Sequence, residues 1–174
     1  LLGGGPASLT VARDLMPLGY EIDLYDDQPA GGGFMRSQIP AFRLPETVLN
    51  EEVDFILDMG VVTHFNTYVD SMKSILDKDY DAVFVGTGAP RGRDLDIPGR
   101  EEANDQIHIG IDWLGSVAFG HTTKIGKKVI VLGGGNTAFS VAANLQLSGA
   151  AVTLCEIPSF AEMVEPIQES RQLD

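Results

Sequence analysis

Two stretches of this sequence share the run LGGG and decide its fold: LGGGPAS at residues 2–8 and LGGGNTA at residues 132–138. The second begins 130 residues after the first, and the similarity continues along the chain with the same offset. In each copy the segment that follows the turn ends at a glycine, Gly19 in the first copy and Gly149 in the second. The apolar run after that glycine ends at an acidic residue. A repeat in register over this length predicts that one structural unit is built twice.

Each copy has the pattern of a strand, a glycine turn, a helix and a second strand. Lys128–Leu132 is rich in β-branched apolar residues, which predicts a buried parallel strand. Residues 138–147 have helical spacing that ends at Gly149. The first copy contains only Leu1 and Leu2 of the equivalent strand, so we expect the chain to begin inside that strand and to be a fragment.

The glycines of the two turns have separate physical roles. The first glycine of each turn (Gly3 and Gly133) permits a tight bend, because it has no side chain to restrict the backbone. The second (Gly5 and Gly135) removes a side chain at the point where a pyrophosphate would approach the positive end of the helix. Both turns therefore fit the phosphate-binding part of a dinucleotide fold.

Two further positions complete the pattern. The third position of the fingerprint holds Ser8 in one copy and Ala138 in the other, which are small enough for close packing although a strict match has glycine there. Asp26 and Glu156 each lie 23 residues after the first glycine of their copy. An acid at about this distance accepts hydrogen bonds from the ribose hydroxyls of a bound dinucleotide.

A single turn of this kind also occurs in α/β domains that bind nothing, but two copies with the same strand, helix and acid favour binding. We therefore predict one dinucleotide at each copy. The predicted binding residues are Gly3, Gly5, Pro6, Ala7 and Asp26 in the first copy, and Gly133, Gly135, Asn136, Thr137 and Glu156 in the second.

Composition narrows the class of partner. The net charge of −13 disfavours binding to nucleic acid or to an anionic membrane surface, since both require clustered Lys and Arg. No apolar run approaches the ~20 residues of a membrane span. The single cysteine, Cys155, excludes an internal disulfide and the CxxC pair of a disulfide reductase. We expect a soluble protein of the reducing cytoplasm whose partners are small molecules or proteins.

Several single residues have ordinary structural interpretations. The three histidines, His64, His108 and His121, lack the spacing of metal ligands, so no metal site is predicted. Cys155 falls in a predicted buried strand and is interpreted as a small core residue. Trp113 is interpreted as a packing residue.

The rest of the chain alternates between helical and strand patterns. Helices are expected at residues 46–58, 72–76 and 111–119, and strands at residues 61–65 and 81–85. This alternation predicts an α/β fold with doubly wound parallel sheets, in two Rossmann-type units. The expected division is a first dinucleotide-binding domain at residues 1–98, a crossover at 99–126, and an incomplete second domain at 127–174.

The segments between the two copies resemble a known family. GGGFMRSQIP at residues 31–40 with FRLP at 42–45, DAVFVGTGA at 81–89, and residues 91–100 occur in the order found in the glutamate synthase small-subunit family of FAD-dependent oxidoreductases. The second glycine turn is also similar, so the resemblance covers residues 2–138.

The resemblance implies FAD at the first copy and NAD(P)H at the second, whereas the residues alone indicate only two dinucleotides. It adds Gly32, Gly33, Thr87 and Gly88 to the expected FAD site. Arg36 joins them as a residue within reach of the flavin or its pyrophosphate, with an ordinary surface arginine as the equal alternative. It also implies that electrons pass from the flavin to a partner subunit that carries iron-sulfur clusters.

The choice between NAD and NADP depends on Glu156. A carboxylate there accepts ribose hydroxyls and repels a 2′-phosphate, and no arginine follows it in residues 157–160. The resembling family often has arginines at this point and an acid where this chain has Ser140. We therefore expect NADH as the electron donor and regard NADP as disfavoured.

The expected function is a flavin-dependent oxidoreductase that passes hydride from NADH or NADPH to FAD. Because the cofactors perform this chemistry, no catalytic acid, base or nucleophile is assigned. Residues 140–173 look more like an NAD-binding opine dehydrogenase, which keeps that enzyme as an alternative. A non-catalytic structural subunit or fragment that retains the fold is the other alternative.

Overall fold

The computed structural model describes residues 1–92, 94, 98–122 and 124–156. The chain divides into two compact units. The first consists of Leu1–Arg36 and Ala41–Pro90, and the second of Ser37–Pro40 and Arg91–Asp174. The sequence predicted different boundaries, with domains at 1–98 and 127–174 and a crossover at 99–126. Those boundaries remain a proposal.

Helices and strands alternate along the described chain. The helices are α1 (Pro6–Leu15), α2 (Phe34–Gln38), α3 (Glu46–Leu57), α4 (Met72–Leu76), α5 (Gly110–Ala118) and α6 (Asn136–Leu147). The strands are β1 (Asp23–Tyr25), β2 (Val62–His64), β3 (Lys128–Leu132) and β4 (Ala151–Cys155). Two short 3-10 helices lie at Met16–Leu18 and Asn104–Gln106. Helices were therefore predicted correctly at residues 46–58, 72–76 and 111–119, within one residue at each end.

The sheet of the first unit is parallel. β1 pairs with β2 in the register Leu24 to Thr63, and Leu2 forms parallel bridges to Tyr25 on one side and Val85 on the other. The strand expected at residues 81–85 is thus reduced to a single bridge. Two backbone hydrogen bonds form this bridge, from the Leu2 amide to the Phe84 carbonyl at 2.9 Å and from the Gly86 amide to the Leu2 carbonyl at 2.8 Å.

The core of the first unit lies between this sheet and helices α1 and α3. Its seven buried residues are Leu9, Ala12, Ile22, Leu24, Leu49, Val53 and Val61. A smaller cluster of Leu2, Tyr25 and Ile75 includes residues of the sheet and of α4. Apolar clusters on both sides of β1 agree with the alternation of its side chains between the two faces.

The second unit is built around the parallel pair β3 and β4, which are in register from Lys128–Ala151 to Leu132–Cys155. Its core contains Leu114 of α5, Val131 of β3 and five residues of α6 and the following turn: Ala138, Val141, Ala142, Leu145 and Ala150. Trp113 packs against this core, which confirms its interpretation as a packing residue.

The interpretation of β3 as a fully buried strand was wrong. Val131 is buried, but its neighbours Ile130 and Leu132 are 66% and 54% exposed. Cys155 is exposed as well, so it is not the core residue expected. The physical reason is that, in the part of the chain that the structure describes, α5 and α6 pack on one face of the β3–β4 pair, so alternate side chains face outward.

The observed architecture is of the α/β class, with every pair of strands parallel in the described ranges. This confirms the fold class predicted from the alternating pattern. Among the described residues no helix has both the length and the apolar content to cross a membrane.

Candidate functional site

The two glycine turns have similar backbone geometry. Gly3 and Gly133 adopt positive φ angles of +88° and +128°, a region that residues with a side chain rarely occupy. The Gly3 amide donates to the Tyr25 carbonyl at 2.8 Å, and the Gly133 amide donates to the Cys155 carbonyl at 2.9 Å. Each turn is thus attached to the end of the neighbouring parallel strand, at the edge where α/β sheets bind ligands.

Each turn leads directly into the N-terminus of a helix. Gly5 precedes α1 with φ −78° and ψ 179°, and Gly135 precedes α6 with φ −90° and ψ 176°. Neither helix has a side-chain hydrogen bond at its N-cap within the described chain. The first amides of a helix have no partner inside the helix, so they are available to an anion.

Space for a ligand is present beside both second glycines. A Cβ added to Gly135 would meet no atom within 4 Å, and one added to Gly5 would meet only the Cα of Gly33 at 3.9 Å. The absence of a side chain is therefore not needed for packing at these positions. It fits the close approach of a pyrophosphate to the backbone, which is what both expected cofactors require.

The first positions of the two helices also correspond. Pro6 and Ala7 of α1 are exposed, and in α6 Asn136 is exposed and Thr137 half-buried. The third fingerprint positions, Ser8 and Ala138, are buried. The four predicted residues therefore lie at the helix N-termini, beside the space for a ligand. The small residue at the third fingerprint position is buried in the protein interior in both copies.

A second glycine segment, residues 31–33, lies directly against the first turn. The amide of Gly32 donates to the Gly4 carbonyl at 2.8 Å. A Cβ on Gly33 would come within 2.6 Å of the Gly5 Cα. The predicted residues Gly32 and Gly33 are thus brought to the first turn, and their lack of side chains permits the two backbones to touch.

A third turn, residues 86–88, completes the site of the first unit. A Cβ on Gly3 would lie 2.6 Å from the Gly86 carbonyl oxygen, and one on Gly86 would lie 2.2 Å from the Ser8 hydroxyl. Thr87 and Gly88 follow this contact and are exposed, with Gly88 at φ +69°. Three glycine turns therefore converge at the N-terminus of α1.

The acid of the first copy is tied to these turns. Asp26 is only 9% exposed, and its carboxylate accepts the amide of Gly4 and, at 2.7 Å, the amide of Gln28. Burial raises the pKa of the Asp26 carboxyl, and the two amide hydrogen bonds partly offset that effect. Because each carboxylate oxygen accepts more than one hydrogen bond, a ribose hydroxyl can still be accommodated.

The acid of the second copy directly follows β4. Glu156 is half-buried, and one of its carboxylate oxygens would lie 3.9 Å from a Cβ on Gly133. The five residues predicted for the second site therefore lie within one unit, at one end of the β3–β4 pair. The start of α5 is adjacent, since a Cβ on Gly110 would lie 3.4 Å from the Thr137 methyl group.

Arg36 has protein partners for its guanidinium group. It donates to the Gly31 carbonyl and the Asn50 side chain, both at 2.7 Å, and to Glu46 at 3.3 Å. Its side chain is 12% exposed, so it is not the ordinary surface arginine of the alternative interpretation, and its contact with a flavin stays a prediction. Asn50 was not found from the sequence, because a polar residue on a helix carries no signal that separates it from a surface residue.

Gly4, Gly31 and Gly86 were also missed as site residues. Gly31 and Gly86 belong to stretches whose resemblance to the family had been noticed, and Gly4 lies inside the first turn. Their contacts with Asp26, Val53 and Ser8 depend on which segments meet in space. No metal-type cluster of three acids, histidines or cysteines occurs in the described part of either unit.

Comparisons with known proteins agree with this geometry. A family model described as pyridine nucleotide-disulphide oxidoreductase matches residues 1–170. The chain is 36% identical over 159 residues to the NAD-dependent dihydropyrimidine dehydrogenase subunit PreT homolog of Salmonella typhi, a match that covers 89% of this chain and 38% of that protein. It is 34% identical over 169 residues to the glutamate synthase (NADPH) small chain of Azospirillum brasilense, covering 89% and 35%.

A solved structure shows the same fold. The complex of 2-naphthoyl-CoA reductase with 2-naphthoyl-CoA matches with a TM-score of 0.77 at 21% identity, over 99% of this chain and 26% of that one. The chain spans well under half the length of the relatives described above.

These findings confirm the glutamate synthase small-subunit resemblance and the Rossmann-type fold. They also confirm, at the level of the family, the predicted class of an FAD-dependent NAD(P)H oxidoreductase with FAD and NAD(P) as cofactors. With a family model matched over nearly its whole length, the chain belongs to the pyridine nucleotide-disulphide oxidoreductase family.

Proposed function

We propose that the protein passes hydride from NADH to FAD, with FAD bound at the first glycine turn and NADH at the second. The observation that carries this proposal is the repeated geometry of Gly5 and Gly135. Each precedes a helix N-terminus that has no side-chain cap in the described chain and borders open space. One such turn fits one dinucleotide pyrophosphate, and two turns fit the pair of cofactors that the family uses.

The FAD site is formed by the three converging glycine turns of the first unit. Its proposed residues are Gly3, Gly5, Pro6, Ala7, Asp26, Gly32, Gly33, Arg36, Thr87 and Gly88. The helix amides receive the pyrophosphate, and the Asp26 carboxylate accepts the ribose hydroxyls. The tight contacts between the turns fix the positions of these backbone donors before the cofactor binds.

The NADH site is formed by the second turn and the acid after β4. Its proposed residues are Gly133, Gly135, Asn136, Thr137 and Glu156. The two bound cofactors supply the redox chemistry, and the protein residues bind and orient them. For that reason no side chain of this chain is assigned as a catalytic acid, base or nucleophile.

We propose NADH rather than NADPH because Glu156 directly follows β4, the position at which this fold is expected to bind the adenosine ribose. A carboxylate there repels a 2′-phosphate. The relatives differ on this point, since one is named as NAD-dependent and another as NADPH-dependent. Replacement of Glu156 by serine is expected to lower the Kd for NADPH by about tenfold or more, because the repulsion of the 2′-phosphate is removed. It is expected to raise the Kd for NADH, because the ribose hydroxyls lose a charged hydrogen-bond acceptor.

We further propose that the reduced flavin passes its electrons to a partner subunit that carries iron-sulfur clusters, in the cytoplasm. Both curated relatives are named as a subunit or chain of a larger enzyme, which supports the existence of a partner. Cys155 is the single cysteine of the sequence, so this chain lacks the cysteines for a cluster of its own and for a CxxC disulfide site.

The test is an absorption spectrum of the full-length protein, before and after anaerobic addition of NADH. The proposal predicts flavin bands in the visible region that bleach when NADH is added. A colourless protein that takes up no FAD would contradict it. NADH oxidation that requires an amino acid and a 2-oxo acid, without flavin, would instead identify an opine-type dehydrogenase.

A further inference from the structure

We propose that Arg36 and Asn50 form a clamp that positions the second glycine segment, residues 31–33, against the first glycine turn. This role is an alternative to the direct flavin contact expected from the sequence, because here Arg36 acts through the backbone of the FAD site. Asn50 becomes a positioning residue of that site although it lies on α3. The proposal rests on the proposed function, because it concerns the affinity of the first unit for FAD.

The first observation in support of the clamp is the set of hydrogen bonds that Arg36 donates. Its side chain is only 12% exposed, and its Nε donates to the Gly31 carbonyl at 2.7 Å. One terminal nitrogen donates to the Asn50 side chain at 2.7 Å, and the other lies 3.3 Å from Glu46, which is 74% exposed. The short, sheltered bonds to Gly31 and Asn50 therefore outweigh the exposed ion pair with Glu46.

The second step is the route from Gly31 to the first turn. Gly31 continues into Gly32, whose amide donates to the Gly4 carbonyl, and into Gly33, whose backbone lies against Gly5. The Arg36 side chain also packs on Gly32, because a Cβ there would lie 3.4 Å from the Arg36 Cβ. Holding Gly31 in place thus holds the backbone that borders the pyrophosphate position.

The third step is the anchor. Asn50 lies on α3. The buried residues Leu49 and Val53, on successive turns of this helix, belong to the core of the first unit. Arg36 lies near the end of the five-residue helix α2, which contributes no buried residue. The clamp therefore connects the glycine segment and the short helix α2 to α3, whose buried residues belong to the core.

The experiment compares Arg36→Ala, Asn50→Ala and the double variant in the full-length protein, with Arg13→Ala as control. Arg13 is an exposed arginine of the same unit, and its side chain pairs with its neighbour Asp14. FAD affinity is measured by titration of apoprotein, and folding is checked by circular dichroism. We expect Asn50→Ala to raise the Kd for FAD by about tenfold, the typical effect of losing a hydrogen bond to a charged group.

The double variant distinguishes a clamp from a direct contact. If both residues act through one bridge, the double variant binds FAD no more weakly than Arg36→Ala alone. Asn50→Asp restores affinity, because a carboxylate still accepts from Arg36, whereas Asn50→Leu does not. Amide hydrogen exchange at residues 31–33 of the apoprotein rises in Asn50→Ala and not in Arg13→Ala.

The opposite results would overturn the clamp. If Arg36→Ala weakens FAD binding while Asn50→Ala leaves it unchanged, Arg36 acts on the cofactor directly. The same conclusion follows if the effect of Arg36→Ala fades when salt is raised from about 0.05 M to about 0.5 M, since salt screens a contact between charges. A wild-type protein that binds no FAD contradicts the proposed function itself, so the two failures are separate.

Discussion

Gly33 is required for two independent reasons. Its φ angle of +50° lies in the left-handed region, and a Cβ at this position would come within 2.6 Å of the Gly5 Cα. Gly33→Ala must therefore strain its own backbone and displace the first glycine turn. We expect a loss of about 2–5 kcal/mol in the free energy of unfolding, together with weaker FAD binding.

Gly88 provides the matched control for this substitution. Its φ angle is +69°, but a Cβ there would meet no atom within 4 Å. Gly88→Ala should cost about 1–2 kcal/mol from backbone strain alone. Urea unfolding of the two variants measures the difference, and equal losses would show that the contact between Gly33 and Gly5 does not matter.

The pair of Asp23 and His64 predicts a dependence of stability on pH. Their side chains lie 2.6 Å apart and are 31% and 35% exposed. The hydrogen bond from His64 is the largest of the effects that lower the pKa of the Asp23 carboxyl from its usual 3.8. Stabilisation by the carboxylate is therefore complete above pH 3.8 and is lost as the pH falls through the lower pKa of the folded state.

Asp23→Asn tests this assignment by removing the charge. Because both side chains are partly exposed, we expect the variant to be less stable by about 1 kcal/mol or less near neutral pH. The difference should shrink when urea unfolding is repeated below about pH 3. A difference of the same size at both pH values would mean that the charge of Asp23 is not responsible.

At the scale of elements, the sequence patterns located the helices well and the sheet faces poorly. The stripe of Val48, Leu49, Val53, Ile56 and Leu57 predicted α3, because helical spacing is a local property of the chain. The exposure of Ile130 depends on what packs against each side of β3, which local spacing does not contain. The same limit explains why residues 81–85 had a strand pattern and yet form only one bridge.

The two faces of β3 give a prediction about stability. Val131 is 8% exposed and belongs to the core of the second unit, whereas its neighbour Ile130 is 66% exposed. Val131→Ala should lower the free energy of unfolding by about 1–3 kcal/mol through the cavity it leaves. Ile130→Thr should change it by about 0.5 kcal/mol or less, because threonine suits a strand and little burial is lost.

Urea unfolding of the full-length protein measures both substitutions. Leu132→Thr, at 54% exposure on the same face as Ile130, should repeat the small effect. A large loss in Ile130→Thr and Leu132→Thr would show that this face is covered in the intact protein.

At the scale of the whole molecule, the repeat itself was the most informative part of the sequence. It located Gly3, Gly5, Gly133 and Gly135, since a turn with its helix and strand is encoded within about thirty residues. The hydrogen bond between Arg36 and Asn50 was not foreseeable, because it joins two helices and depends on how they pack against each other. Local backbone geometry is therefore readable from such a chain, while the side chains that support it require the structure.

The repeat also predicts that the two cofactor sites can be disabled one at a time. Gly5 and Gly135 have negative φ angles, and a Cβ on either meets no atom closer than 3.9 Å. The Cβ of a valine therefore fits at either position, and its methyl groups extend into the space proposed for a pyrophosphate, so each variant is first checked for folding by circular dichroism. Gly5→Val is expected to give a colourless protein, because FAD can no longer approach the helix N-terminus.

Gly135→Val is expected to keep its flavin absorption and to lose bleaching by NADH, while dithionite still bleaches it. Anaerobic spectra of the two variants and the wild type make this comparison, with circular dichroism to verify folding. If Gly135→Val also loses its flavin, or if Gly5→Val keeps it, the assignment of one cofactor to each turn is wrong. The two substitutions are chemically the same and 130 residues apart, so a difference in their spectra reports which dinucleotide each turn binds.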